Sequence, residues 1–146
     1  TTKATDTRRD EMMGGHSGGG GEALAIAGVD QPGDGSILST VRKYTLSGDA
    51  WSNGTAIPTA TKAGGAFGQT DATDVVAFTG ETAASGDSSV GTTIEFNNGA
   101  WQTGNNITRP RRTLTGGGPT GNGLVAGGYD GSYRDYTDTF DRTVST

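Results

Sequence analysis

Arrangements of residues that could carry out catalysis are scarce in this sequence. His16 is the only histidine, and it lies in a glycine-rich stretch at 14–21. Because the chain has no cysteine, neither a Cys–His pair nor a site of several Cys and His ligands can form within one chain. A Ser–His–Asp triad could be assembled on paper, but no strand-to-helix turn that carries Gly-x-Ser-x-Gly is predicted. We therefore predict a protein that is not an enzyme, with no catalytic or metal-ligating residues and no cofactor.

Acidic residues recur in turns that resemble calcium loops only in charge. They lie at 30–35, at 81–87 and at Asp130-Gly131. Calcium takes about six to eight oxygen ligands, and these segments lack the Asp-x-Asp spacing with a closing Glu that would supply them. Asp followed by Gly favours hairpin turns, so we predict turns here rather than metal sites.

The composition limits the class of protein. Glycine occupies 27 of 146 positions, hydrophobic residues make up only 30%, and the net charge is −5. Because the apolar residues fall in short, regularly spaced runs, we predict a globular all-β chain with many tight turns rather than a disordered one. The acidic balance argues against a nucleic-acid partner, and no apolar run is long enough to predict a membrane span.

An internal repeat of about fifty residues organises these elements. Trp101 follows Trp51 by 50 residues, and each stands in the pattern Ala-Trp-x-x-Gly-x-x-Ile. Each repeat is predicted to begin with a first strand that ends on a glycine pair, at Gly14-Gly15, Gly64-Gly65 and Gly116-Gly117. Counting five residues back from each pair predicts that Arg9, Thr59 and Arg111 are equivalent.

The other strands follow in the same order in each repeat. A second, Ala-rich strand ends on glycine, a third carries an aromatic residue, and a fourth carries Trp in the first two repeats only. Second strands are predicted at 24–28, 76–80 and 124–128, and third strands at 41–44, 93–96 and 137–140. We predict that the aromatic residues fill the space between neighbouring sheets. These residues are Tyr44, Trp51, Phe96, Trp101 and Phe140.

The order of a glycine pair, a Tyr or Phe, and then a Trp resembles kelch repeats over nearly the whole chain. Gly127-Gly128-Tyr129 matches the double glycine best, whereas Ala27-Gly28 and Thr79-Gly80 depart from it. The resemblance implies an all-β fold of about three four-stranded antiparallel blades of a kelch-like β-propeller. One domain is expected over 1–146, with blades near 7–57, 58–107 and 108–146, and with residues 1–6 completing a neighbouring blade.

Three blades do not close a ring, since propellers have about four to eight blades. One expectation is a homo-oligomer in which two chains form a six-bladed ring. The other is that further repeats lie outside this chain. Both would cover the apolar faces that an open stack of blades exposes.

A binding surface is expected at one face of these blades. Kelch-like propellers place the loop between the second and third strands beside the connection that follows the fourth strand. This arrangement would bring Arg9 and Arg111 to the same mouth as Tyr129 and Tyr133. Arg and Tyr at a mouth suit an anionic or sugar ligand. The alternative is that the two arginines bridge blades through carboxylates.

The sequence from Asn98 to Tyr129 also resembles kelch-like repeats of structural proteins from aquatic bacteriophages. That resemblance implies a virion protein, an appendage or tail-fibre propeller that contacts a host surface, a surface glycan or another virion protein. The alternative is a secreted carbohydrate-binding protein or a protein-interaction kelch propeller, so the expected location is the virion or the extracellular space. Glycan-acceptor patterns at 53–55 and 106–108 bear on the secreted alternative alone.

Overall fold

A computed structural model describes residues 9–16, 21–31, 35–68, 74–82 and 88–142. Within these ranges the chain forms strands joined by turns and no helix, which confirms the predicted all-β class. The predicted role of residues 1–6 lies outside the described residues. The strands are β1 (Arg9–Asp10), β2 (Met13–His16), β3 (Glu22–Asp30), β4 (Ile37–Thr45), β5 (Ala50–Asn53), β6 (Gly65–Gly68), β7 (Asp74–Phe78), β8 (Thr93–Asn97), β9 (Ala100–Thr103), β10 (Thr115–Gly117), β11 (Gly123–Ala126) and β12 (Thr137–Phe140).

The strands form three antiparallel sheets, each made from one continuous part of the chain. The first sheet contains β1 to β5, with β1 and β2 both pairing with the long strand β3. The second sheet has the order β6-β7-β8-β9, and the third has the order β10-β11-β12. Each strand therefore pairs mainly with its neighbour in sequence, which keeps the connections short.

Short turns between these strands have a clear chemical origin. The hairpin from β8 to β9 turns at Asn98-Gly99, where both residues have positive φ, 49° and 87°. A two-residue turn of this kind matches the twist of the flanking strands, and Asn-Gly is the sequence that favours it. The turn sets Phe96 directly opposite Trp101, whose ring centroids lie 4.8 Å apart.

The sheets stack face to face through two apolar clusters. Between the first and second sheets the buried side chains come from β2, β3 and β4 on one side and from β7 and β8 on the other. Between the second and third sheets Phe67 and Phe78 pack edge to face with Phe140, with Leu114 and Val125 alongside. Burial of these aromatic and aliphatic side chains is the main force that holds the sheets together.

Main-chain hydrogen bonds join the sheets where each repeat begins. Glu11, Ala63 and Thr113 have left-handed φ values of 49°, 52° and 51°. The Ala63 amide donates to the Glu11 carbonyl at 2.9 Å, and the Thr113 amide donates to the Ala63 carbonyl at 2.6 Å. The same backbone conformation and contact thus recur from sheet to sheet.

This recurrence corrects the predicted alignment of the glycine pairs. Gly14 faces Ala25 across the sheet, and Gly116 faces Val125, but the residue at this place in the second sheet is Ala66 facing Ala77. Gly64-Gly65 therefore lies two residues earlier than the sequence alignment placed it. Its glycines are required by close packing: a Cβ on Gly64 would overlap the Phe78 carbonyl oxygen and lie 2.6 Å from the Met13 sulfur.

We expect the substitution Gly64→Ala to lower the free energy of unfolding by about 2 kcal/mol, because its Cβ collides with backbone that cannot swing away. Gly48→Ala is the matched control, since a Cβ there meets nothing within 4 Å. Urea unfolding of both variants measures the difference. Equal stability of the two would contradict the packing described at Gly64.

The predicted aromatic core is confirmed in part. Phe96 and Phe140 are buried between sheets, and Trp101 is half-buried against the first cluster with its Nε1 donating to the Thr55 carbonyl at 2.8 Å. For Tyr44 and Trp51 it stays a prediction, because the described part of the chain places no sheet on the face where they lie. These two rings contact each other, 5.2 Å between centroids, on the face of the first sheet that points away from the second. Strand β4 alternates, so Val41 points into the cluster and Tyr44 points to the opposite face of the sheet.

Candidate functional site

The loop between β11 and β12, residues 127–136, is closed by its own main-chain hydrogen bonds. Gly127, Gly128 and Gly131 have positive φ values that reverse the chain within a few residues. The Gly127 amide donates to the Tyr136 carbonyl at 2.9 Å, and the Arg134 amide donates to the Gly128 carbonyl at 3.0 Å. Glycine is the residue that adopts these conformations without strain, so the Gly127-Gly128 pair creates the loop.

Two of the predicted site residues meet on this loop. Tyr129 and Tyr133 form an isolated antiparallel bridge, and their rings lie edge to face with centroids 5.3 Å apart. Tyr133 is 90% exposed, whereas Tyr129 is only partly exposed. The Arg112 guanidinium carbon lies 4.9 Å from the centre of the Tyr129 ring. Tyr133 is therefore an exposed aromatic ring that contacts the Tyr129 ring, which in turn lies against Arg112.

A second aromatic group lies on the same loop. The Arg109 guanidinium carbon stands 4.2 Å from the centre of the Tyr136 ring, and that of Arg134 stands 5.5 Å from it. Arg134 also donates through Nε to Asp130 at 2.7 Å, and this hydrogen bond holds the pKa of the Asp130 carboxyl below its usual range. We define the tyrosine–arginine patch as Arg109, Arg112, Tyr129, Tyr133, Arg134 and Tyr136.

A row of charged side chains connects the patch to the second and first sheets. Arg112 pairs with Glu81 at 2.6 Å, and Lys62 lies 3.5 Å from Glu81 and 3.0 Å from Glu11. The hydrogen bond with Glu11 raises the pKa of Lys62 above its ordinary value. The contribution of Lys62 to stability is thus complete below the pKa of an unfolded lysine and disappears as the pH rises through the folded pKa.

The predicted site residue Arg111 does not lie on the exposed surface. Its side chain is 0% exposed, and its guanidinium binds Asp138 of β12 at 2.7 Å. The same guanidinium donates to the Gly127 carbonyl at 2.6 Å and to the Arg109 carbonyl at 3.0 Å. Arg111 therefore fixes the base of the 127–136 loop and does not face a ligand.

Arg9 occupies the corresponding place in the first sheet. Its guanidinium donates to the Ala27 carbonyl at 3.2 Å and to the Thr40 carbonyl at 2.7 Å. In the second sheet the corresponding residue is Thr61, whose hydroxyl donates to the Thr79 carbonyl. The predicted equivalence of Thr59 with Arg9 and Arg111 is therefore wrong by two residues, for the same reason as the glycine pair.

The alternative interpretation, that arginines bridge blades through carboxylates, applies to a different arginine. Arg111 and Asp138 belong to the third sheet, and Arg9 contacts only residues of the first sheet in its described hydrogen bonds. Within the run at 109–112, Arg112 is the arginine that reaches another sheet, through Glu81. The sequence run at 109–112 contained these arginines, but only the structure shows that Arg111 is buried while Arg109 and Arg112 remain partly exposed.

The side chains of the patch are of types that can bind sugar rings. Tyrosine faces stack on the apolar C–H face of a sugar, and guanidinium groups donate paired hydrogen bonds to hydroxyl, carboxylate or sulfate oxygens. Each patch arginine has a carboxylate nearby: Asp138 at 3.7 Å from Arg109, Glu81 beside Arg112 and Asp130 beside Arg134. Because these charges balance, the patch does not present a strongly cationic surface.

His16 lies on β2, and the described residues contain no group of three His, Cys, Asp or Glu side chains placed to hold a metal ion. Within the described ranges there is also no helix with the length and apolar character needed to cross a membrane.

Comparison with known proteins gives no relative from which a role could be transferred. No protein-family model matches the chain, and no curated protein matches it.

Proposed function

We propose that the chain supplies three blades of a kelch-like β-propeller that serves as a non-enzymatic binding module. The support is the stacking of three antiparallel sheets, in each of which the strands pair largely in sequence order. A residue with left-handed φ stands at the same position near the start of each repeat, and a main-chain hydrogen bond joins these positions from sheet to sheet. Propeller blades are sheets of this type repeated about an axis. The innermost strands β2, β6 and β10 line one glycine-rich cleft of about 380 Å³, where such an axis would run.

The binding surface in this proposal is the tyrosine–arginine patch. The observation that carries it is Tyr133, whose ring is 90% exposed yet is held by Tyr129 on a hydrogen-bonded loop. A large aromatic ring fixed in solvent gains little for folding, whereas a preorganised ring loses little entropy on binding. The matching ligand is a glycan of a cell surface, stacked on Tyr133 and hydrogen-bonded by the arginines.

We expect Tyr133→Ala to weaken glycan binding at least about tenfold, which corresponds to the roughly 1.4 kcal/mol of one aromatic contact. Tyr133→Phe keeps the ring and is expected to bind nearly as well as the wild type. Gln102→Ala, on an exposed position of the second sheet, is the control for nonspecific effects. A glycan array followed by calorimetry on the best ligand gives the measurement. Undiminished binding by Tyr133→Ala would exclude the patch.

The setting that we propose for this module is the appendage or tail fibre of a bacteriophage particle. Its support is the resemblance of the Gly-, Thr- and Asn-rich repeat to those of phage structural proteins, together with a surface suited to glycans. Antibody labelling and mass spectrometry of purified particles test this setting. Recovery at a fixed copy number relative to the capsid protein is expected, and absence from washed particles would favour a secreted carbohydrate-binding protein.

A further inference from the structure

The contacts between neighbouring sheets follow a rule of large against small. At the junction of the first and second sheets, the Met13 sulfur lies only 2.6 Å from the place that a Cβ on Gly64 would take. At the junction of the second and third sheets the sizes are exchanged, because Leu114 Cδ1 lies 2.8 Å from where a Cβ on Gly65 would be. One large and one small residue thus share each site, and two large ones would not fit.

The same two positions of the repeat also lie on the outer faces of the first and third sheets. Met13, Gly65 and Thr115 each begin the first strand of a repeat, and each is preceded by the residue that packs on the sheet before it. For the first sheet that preceding residue is Met12, a large side chain that is 51% exposed. The corresponding small residue on the third sheet is Thr115, which is exposed as well.

The third sheet carries an apolar side chain at a position that is buried in the other two. Leu124 corresponds to Leu24 and Val76, which are both buried at a sheet-to-sheet junction. Leu124 itself is 49% exposed, on the face opposite to the one that packs on the second sheet. An exposed leucine at this position is what a further sheet would cover.

The first sheet carries the matching aromatic side chains. Tyr44 and Trp51 correspond to Phe96 and Trp101, and the latter pair packs on the sheet that precedes it. Beside them Leu46 is exposed at the position that Arg142 takes in the third sheet, two residues after the aromatic of the third strand. Arg142 reaches back to Glu95, and the residue of the third sheet that corresponds to Glu95 is Thr139. If a sheet like the third covered the outer face of the first sheet, Leu46 would therefore meet Thr139 at the place where the second and third sheets have this ion pair.

We propose that the covering sheet comes from a second copy of this chain. The head face, defined as Met12, Tyr44, Leu46 and Trp51, packs on the partner's tail face, defined as Thr115, Leu124, Ala126 and Thr139. The two faces are complementary in size and hydrophobicity and belong to one sequence, so each copy offers what the other lacks. Two copies make the same contact twice, and the six sheets close into a ring. This association does not depend on what the tyrosine–arginine patch binds.

The mass in solution tests the association directly. Light scattering is expected to give twice the 14.7 kDa chain mass for the wild type. Met12→Asp and Leu124→Asp each place a charge in the junction and are expected to weaken the dimer at least about tenfold, while the control Gln102→Asp leaves it unchanged. A wild-type monomer would overturn the proposal and assign the faces to another polypeptide. An open series of larger species would overturn the closed ring of two chains.

A mixing experiment distinguishes head-to-tail packing from packing of identical faces. In a mixture of the Met12→Asp and Leu124→Asp chains, a mixed dimer contains one junction that is wild type on both sides. Native mass spectrometry is therefore expected to detect more mixed dimer than dimer of either variant alone. Normal dimerisation of either single variant, or no excess of mixed dimer, would overturn the proposal.

The rule of large against small supplies a rescue that a folding defect could not imitate. Thr115→Met alone opposes Met12 with a second large side chain and is expected to weaken the dimer about tenfold. The double variant Met12→Gly, Thr115→Met recreates the Met13–Gly64 contact and is expected to recover wild-type dimerisation within about threefold. Circular dichroism of all variants reports folding of the single chain. A double variant no better than Thr115→Met would contradict the predicted contact.

Discussion

Replacement of Arg111 by Met is expected to lower the free energy of unfolding by about 4 kcal/mol. Removing one partner of a buried ion pair leaves the other charge without compensation, and such losses are of the order of 3–5 kcal/mol. Asp138 would lose its 2.7 Å contact with the guanidinium, and the carbonyl groups of Arg109, Val125 and Gly127 would lose a donor. Because these carbonyls lie at the base of the 127–136 loop, the loop is expected to loosen together with the third sheet.

Arg112→Met is the matched control for this effect. Arg112 is the next residue in sequence and also carries an ion pair, but its side chain is 26% exposed and water can replace part of what is lost. We expect a loss of only about 1 kcal/mol. Arg111→Lys keeps the charge without the forked donors and is expected to fall between the two. Urea unfolding of the three variants measures the order, and an Arg111→Met protein as stable as Arg112→Met would contradict the structural role of Arg111.

The sequence predicts the all-β class and the order of strands well because those depend on local signals. Glycines, the Trp spacing and the aromatic residue of the third strand recur in phase, and the sheets contain those strands in that order. The alignment failed at Gly64-Gly65, where a glycine pair similar to its neighbours in sequence satisfies a different requirement. A Cβ on Gly64 would overlap the Phe78 carbonyl oxygen and lie 2.6 Å from the Met13 sulfur of another sheet, and contacts of this kind leave no local pattern in the sequence.

The candidate site was predictable as a region and not as a set of contacts. Tyr129 and Tyr133 follow a visible double glycine, and the structure brings their rings together. Arg111 was expected beside them, but it points inward to Asp138. Tyr136 and Arg134 gave a usable signal, an aromatic and a cation on the same loop, that could have extended the prediction. The stacking of Arg109 on Tyr136 joins a residue before β10 to a residue before β12, and composition does not report such a contact.

Replacement of Arg142 by Met is the second large effect that we expect, about 3 kcal/mol of lost stability. Arg142 follows β12 in the third sheet, and its guanidinium contacts two carboxylates of the second sheet, Asp74 and the fully buried Glu95. It also donates to the Phe96 carbonyl at 3.2 Å. Loss of the guanidinium leaves two acidic side chains close together and without the cation that they share, so the second and third sheets are expected to separate more easily.

The first sheet shows how the same positions are balanced when the next sheet supplies no arginine, and this comparison gives a rescue. Asn98 of the second sheet stands at the position of Arg142. Glu22 and Lys43 occupy the places of Asp74 and Glu95, and they pair within their own sheet at 2.9 Å. In the Arg142→Met background, the lysine of Glu95→Lys should therefore pair with Asp74 and recover more than half of the lost stability. With Arg142 present, Glu95→Lys places two cations against each other and should be destabilising. Thermal and urea unfolding of the four proteins form a double-mutant cycle. Additive losses in that cycle would mean that Arg142 and Glu95 act independently, contrary to the contact between the sheets.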